Sequence, residues 1–168
     1  MRIIDNNIYT EHSIRTYSGK VFDLKILDPE SICIEDIGHS LAYTARFGGH
    51  LSELYSVGQH SIHVMAQCRK ELKLAALLHD ASEAYLGDMP SPFKKMMPDY
   101  KKLEHNVMIA ISKKFGFDYP LHEEIKSADH AYLNLEWEAF VNRSIFMEVW
   151  KPEETKARFI QMYNSLIQ

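Results

Sequence analysis

Apolar positions recur at helical spacing along most of this chain beyond residue 30. Ile32, Ile34, Ile37, Leu41 and Ala45 repeat at close to 3.6 residues and predict a helix from Glu30 to Arg46, ended by Gly48-Gly49. Ser56 is a good N-cap for a second helix running through Val57, His60, Ile62, Val64 and Met65 to about Arg69. A third, from Lys70 to about Tyr85, is apolar on nearly every side at Leu72, Leu74, Ala75, Ala76, Leu77 and Leu78, which marks it as central. The segment Leu86-Gly87-Asp88-Met89-Pro90-Ser91-Pro92 must break it. Further helices are expected over Asp99 to Phe115, Pro120 to Arg143 and Pro152 to Leu166. The first 30 residues differ: Thr10 to Leu27 is rich in Thr, Tyr, Val and Ile around the turn pair Ser18-Gly19, the pattern of a small β-hairpin or an extended arm. The expected fold is therefore all-α, with residues 1–30 as an N-terminal arm or hairpin packed on a helical domain of residues 31–168.

Composition narrows the function classes. With 168 residues the chain is long enough for one domain that buries about 70% of its unfolded surface. It is 46% hydrophobic and 25% charged, with a net charge of −4, which argues against non-specific or stable nucleic-acid binding. No apolar run approaches membrane-spanning length, and MRIIDNNIYTEHS lacks the basic-then-apolar order of a signal peptide, so the expectation is a cytoplasmic protein without a membrane partner. Cys33 and Cys68 stand in no CxxC or Cys-His spacing and read as reduced structural thiols.

The candidate chemistry is carried by His60, by the adjacent pair His79-Asp80, and by Asp129, each in or beside an apolar stretch. A lone histidine on a helix is more often a packing or surface residue than a ligand. The His79-Asp80 pair is different, because it closes the apolar run Leu74 to Leu78 and two polar side chains there are costly unless something pairs with them. Two imidazoles and two carboxylates suit a divalent cation that keeps positions open for water and substrate. If the third helix continues, Glu83 shares the face of His79 and Asp80. The loop after it offers Asp88 and the cations Lys94 and Lys95. Arg46-Phe47, at the turn Gly48-Gly49-His50, pairs an anion-binding cation with an aromatic ring.

These segments, IEDIGHSLAYTARFGGH, YSVGQHS, ALLHDASEAYLGDMPSPFK and KSADHAYLNLE, resemble the HD-domain metal-dependent phosphohydrolases over about residues 32 to 138. Within them the chain is most similar to the small nucleotidase branch, which includes 5′-deoxynucleotidases and dATP triphosphohydrolases. The resemblance implies a helical HD-domain bundle and one divalent metal ion per chain (Mn, Co, Zn, Fe or Mg), held by His60, His79, Asp80 and Asp129. It implies Glu83 as the acid that handles the catalytic water, Asp88 as the carboxylate that positions water and substrate, and Arg46 and Lys94 as phosphate contacts. Phe47 stands where the nucleotidase pattern often has Trp and would form an aromatic wall. The implied substrate is a deoxynucleotide, as triphosphate or monophosphate. The alternatives are another HD phosphohydrolase, acting on a cyclic nucleotide or guanosine tetraphosphate, and a non-catalytic nucleotide-binding HD module. The C-terminal third crowds Phe140, Val141, Ile145, Phe146, Val149 and Trp150 together, and a homo-oligomer, a dimer or larger ring, is expected to cover them.

Overall fold

The computed structural model describes residues 2–4 and 7–168; of the expected arm, residues 1, 5 and 6 lie outside the described residues. The fold is all-α with small antiparallel hairpins at its N-terminal end. Strands β1 (Arg2–Ile4) and β2 (Asn7–Tyr9) pair with Ile3 opposite Ile8. Strands β3 (Ser13–Arg15) and β4 (Val21–Asp23) pair with Ile14 opposite Phe22, around the turn predicted at Ser18-Gly19. Gly19 takes φ +87°, a conformation side chains other than glycine's rarely adopt. Phe22 anchors this hairpin: it is fully buried, and its ring stacks 4.2 Å from that of Tyr85.

The first predicted helix is shorter than its apolar period suggests. Asp28 caps a single 3₁₀ turn, Pro29–Ser31, by accepting from the Glu30 amide, and α1 runs only from Ile34 to Tyr43. It stops because the next residues find another partner. The amides of Arg46 and Val57 donate to the carbonyls of Tyr55 and Thr44, a short antiparallel bridge that pulls residues 44–46 out of helical geometry. That bridge hands the chain directly to α2 (Val57–Gln67), whose N-cap is Ser56 as expected, with its hydroxyl accepting from the Gln59 amide.

The third expected helix is broken. Residues 70–72 form a 3₁₀ turn, α3 covers Lys73–Leu77, and α4 is the single turn Glu83–Leu86. Between them the amides of Ala81 and Glu83 bond back to Leu78 and Asp80, so the backbone tightens to i→i+3 spacing. Gly87, at φ +77°, and Pro90 then break the chain as predicted, before α5 (Ser91–Met96), α6 (Pro98–Phe115), α7 (Glu123–Glu136) and α8 (Pro152–Leu166). A π-turn, Trp137–Val141, extends α7.

Helices α1, α2 and α8 meet at unusually close range. A Cβ on Gly38 would lie 2.9 Å from Ile160 Cδ1, and one on Gly58 only 3.1 Å from the Ala42 amide nitrogen. Glycine at these two positions is what lets the backbones approach. The core beneath them is built on Ile37, Leu41, Val57, Leu77, Ile111 and Phe159, all with no exposed surface. Both cysteines are free thiols; Cys68 is buried, and Cys33 donates to Asp36. Among the described residues no helix is long and apolar enough to cross a membrane.

The β3–β4 hairpin is clasped by Asp23. Its carboxylate accepts from the hydroxyls of Thr10 and Ser13 and from the amides of Lys25 and Ile26. The Thr10 hydroxyl and Lys25 amide, ahead of smaller contributions, lower its pKa to about 2. Against an unfolded value of about 4, the clasp is complete above pH 4 and is lost as pH falls toward 2. Amide protection factors in residues 10–26, which compare exchange with the intrinsic rate at each pH, are therefore expected to fall across that window. In Asp23→Asn this pH dependence should be absent, and a parent-like exchange profile in that variant would refute the assignment.

Candidate metal centre

Three elements converge on one point. From its capped first turn α2 presents His60, which is fully buried. The tight turn between α3 and α4 presents His79 and Asp80, and α7 presents Asp129. His60 Nε2 lies 3.0 Å from Asp129 Oδ1 and 3.8 Å from Asp80 Oδ2; His79 Nε2 lies 3.2 Å from Asp80 Oδ2 and 3.9 Å from Asp129 Oδ1. One donor atom from each of His60, His79 and Asp129 falls within 4.8 Å of the others. A cation about 2.1 Å from each donor needs donors about 3.0–3.5 Å apart, so these separations fit with small adjustments.

The proton positions point the same way. His79 Nδ1 donates to the Ala76 carbonyl at 2.8 Å, which leaves Nε2 as the atom facing inward. That nitrogen is buried and has no aligned hydrogen-bond partner, despite its proximity to Asp80. His60 Nδ1 lies 2.6 Å from Glu136 Oε1 and donates to it, so Nε2 again is what faces the carboxylates. Two imidazole nitrogens and two carboxylates pointed at one another require positive charge between them, a proton or a cation.

Charges around the centre are sorted sharply. Burial disfavours ionised Asp80, but His79, His60 and Arg46 more than offset it and hold its carboxyl well below the ordinary range. Burial likewise opposes protonation of His79, and Asp80 with Asp129 overcomes it, raising the imidazole to about 8. Asp129 is held low despite its partial burial, chiefly by its hydrogen bond with His60. Glu83, only about 5% exposed, goes the other way: burial first, then the Asp80 and Asp88 charges, push its pKa well above the carboxylate range. Asp88 is raised as well, by burial and then Asp80, against the opposing pull of Arg46.

The remaining expected site residues lie around this core in unequal ways. Arg46, expected as a phosphate contact, turns inward: its side chain is 12% exposed, with Nε and Nη2 donating to Glu136 Oε2 at 3.1 and 2.8 Å and Nη1 3.9 Å from Asp80. The bridge between Ala45 and Ser56 explains the inward turn, since it carries Arg46 alongside the start of α2. Lys94 reaches back from α5 to pair with Glu83 at 3.3 Å and Glu104 at 2.7 Å. Phe47 sits at φ +55° with its ring 6.3 Å from that of Trp137. Glu83 does not share a continuous helical face with His79 and Asp80, because the helix is broken there; its amide instead closes a turn on the Asp80 carbonyl. His63 stacks on Tyr132 at 4.9 Å and His130 is exposed, so neither joins the centre.

Sequence reasoning passed over Glu136 and Glu104. Glu136 has no exposed surface, and its position was signalled only by its spacing, seven residues beyond Asp129 on the same helix face.

The chain is 38% identical over 138 residues to the uncharacterized protein RCAP_rcc00048 of Rhodobacter capsulatus, an alignment covering 74% of this chain and 70% of that protein. The chain belongs to this protein's family. It is also 40% identical over 116 residues to the uncharacterized Escherichia coli (strain K12) protein YfdR, covering 69% of this chain and 65% of YfdR's length. No protein-family model matches the chain.

The raised Glu83 pKa has a stability consequence. The folded state holds this proton more tightly than the unfolded chain, whose Glu titrates near 4.3, so stability is lost as pH rises through the folded value. Glu83→Gln removes that loss. In chelator-treated protein at pH 8 the variant should melt about 2–4 °C above the parent, equivalent to about 1 kcal/mol for a chain of this size, and the gap should close at pH 4. A lower melting point at pH 8 would show Glu83 ionised and stabilised by Lys94.

Proposed function

We propose that this chain is a metal-dependent phosphohydrolase of the HD-domain type that acts on (deoxy)nucleotides, as a deoxynucleoside triphosphohydrolase or a 5′-deoxynucleotidase. The observation that carries the reading is the convergence of His60 Nε2, His79 Nε2, Asp80 and Asp129, with both Nδ1 atoms committed elsewhere and one inward nitrogen left without an aligned partner. A divalent cation bound there supplies Lewis acidity toward a phosphate oxygen and a water of lowered pKa. The nucleotide preference rests on the resemblance of the HDASE and GDxPSP segments to the nucleotidase branch.

The protein's own groups divide the remaining work. Glu83 is buried beside Asp80 and has a raised proton affinity, which suits a group that takes a proton from water near neutral pH. Lys94 lies next to it and, with Arg46 Nη1, offsets charge brought in by phosphate. Asp88, also raised, stands ready to hold or orient a second proton. The rings of Phe47 and Trp137 offer apolar faces for a base.

The test is product analysis on a panel of nucleoside mono- and triphosphates with Mn, Co, Mg and Zn supplied separately. The purified chain is expected to hold about one divalent ion, lost in His79→Ala by elemental analysis. Glu83→Gln should keep the metal while turnover drops about 100-fold or more. Full metal occupancy in His79→Ala would overturn the ligand assignment.

The reading includes a homo-oligomer. The end of the π-turn and the stretch after it leave Val141 44%, Ile145 45% and Phe146 90% exposed, apolar side chains that a second copy would cover. Trp150 is not part of that free patch, since its ring packs 5.0 Å from His63 beneath Arg158. Light scattering should give a mass above the 19.5 kDa of one chain, reduced to one chain by Phe146→Glu. A parent mass of one chain would refute the assembly.

A further inference from the structure

Helix α7 supplies a carboxylate to each nitrogen of one imidazole. Asp129 Oδ1 faces His60 Nε2 at 3.0 Å, and seven residues later Glu136 Oε1 accepts from Nδ1 at 2.6 Å. Seven residues is nearly two helical turns, so both side chains leave α7 on the side that meets α2. Glu136 does more than close that bond. Its second oxygen accepts from both Nε and Nη2 of Arg46, which points Nη1 toward Asp80. A single carboxylate with no exposed surface therefore ties an imidazole of the centre to the cation beside it.

The two imidazoles are backed differently. His79 Nδ1 donates to a neutral backbone carbonyl, that of Ala76, whereas His60 Nδ1 donates to a full negative charge. A carboxylate behind a ligand imidazole fixes the tautomer, holds the ring and makes the far nitrogen a stronger donor. Arg46 sets how much of that charge reaches the ring, because it competes for the same carboxylate. Glu136 is the partner of Nδ1, and His60 has no exposed surface through which water could take its place.

We infer that Glu136 is a positioning residue of the metal centre: it orients His60 toward the cation and clamps Arg46 with one nitrogen free beside Asp80. The inference rests on the metal-site reading proposed above.

Calorimetric titration with Mn(II), and the visible spectrum of the Co(II)-loaded protein, test it on the full chain. Glu136→Gln keeps the volume of the side chain but replaces the charge by an amide, whose NH₂ group would face Arg46. It should weaken Mn(II) binding about 10–100-fold and alter the Co(II) spectrum. Asp36→Asn is the control for loss of a buried carboxylate in general. Asp36 is 2% exposed and makes its contacts with Ser18 and Cys33, so this variant should lose thermal stability yet bind Mn(II) like the parent. If Glu136→Gln does not fold, Glu136→Asp, charged but one methylene too short to span His60 and Arg46, is held to the same threshold. Parent-like Mn(II) affinity with an unchanged Co(II) spectrum in the Glu136 variant would overturn this inference alone. Failure of the parent itself to bind Mn(II) or Co(II) would overturn the metal-site reading and this inference with it.

Discussion

A carboxylate with no exposed surface sits where α2, α7 and the bridge between residues 45 and 56 come together, and the surrounding structure is arranged to keep it ionised. Burial alone would push Glu136 toward its neutral form; the His60 hydrogen bond and the Arg46 guanidinium reverse this and hold its pKa below the usual value. The desolvation of a buried ion costs several kcal/mol, so Glu136 and Arg46 are each unfavourable in place without the other. This accounts for features that look unrelated. Helix α1 ends at Tyr43 and not at Arg46, because the bridge takes residues 44–46 and carries Arg46 inward to Glu136. Gly58 permits the close packing of α2 on α1 that brings the bridge alongside.

The break between α3 and α4 serves the same centre from the opposite side. A continuous helix would have aimed the Ala76 carbonyl along its axis at a backbone amide. In the tightened turn that carbonyl takes a long bond of 3.5 Å from the His79 amide and also accepts from His79 Nδ1 at 2.8 Å, so the imidazole is held with its other nitrogen inward. Burying a histidine whose inward atom lacks an aligned partner costs stability, as does burying Glu83 beside two other carboxylates. Sites that oppose local stability in this way are more often there for function than for folding.

The sequence was informative wherever one residue's chemistry decides the outcome. Ser56 as an N-cap, Gly87 with Pro90 as a break, and Pro152 as the start of α8 all follow from single-residue rules, and all stand in the structure. The convergence of His60, His79 and Asp129 was likewise legible, through residue types and motif order. Apolar periodicity misled in two places, Glu30 to Arg46 and Lys70 to Tyr85. In the first, the bridge to residues 55–57 took a backbone segment that helical propensity would have kept; in the second, local i→i+3 bonds and the His79 side-chain bond to Ala76 did so. The inward placement of Arg46 and the role of Glu136 were illegible for a related reason. A charged residue on a helix or a turn is solvent-exposed by default, and only its partner, 90 residues away in the chain, makes burial affordable.

Glu83 and Asp80 carry the same functional group three residues apart, yet their proton affinities are driven in opposite directions. Asp80 shares its surroundings with His79, His60 and Arg46, three groups that favour its charge. Glu83 is more enclosed, has Lys94 as its near cation at 3.3 Å, and feels the negative charge of Asp80 and Asp88. On an unbroken helix the two side chains would be neighbours on one face, competing for the same cations. The turn separates them: one carboxylate is directed toward His60 and His79, and the other is buried beside Lys94 with its proton affinity raised. A pair of acids so divided is what a site needs if one group is to hold a fixed charge while another exchanges a proton with water, and the division here follows from where the backbone stops being helical.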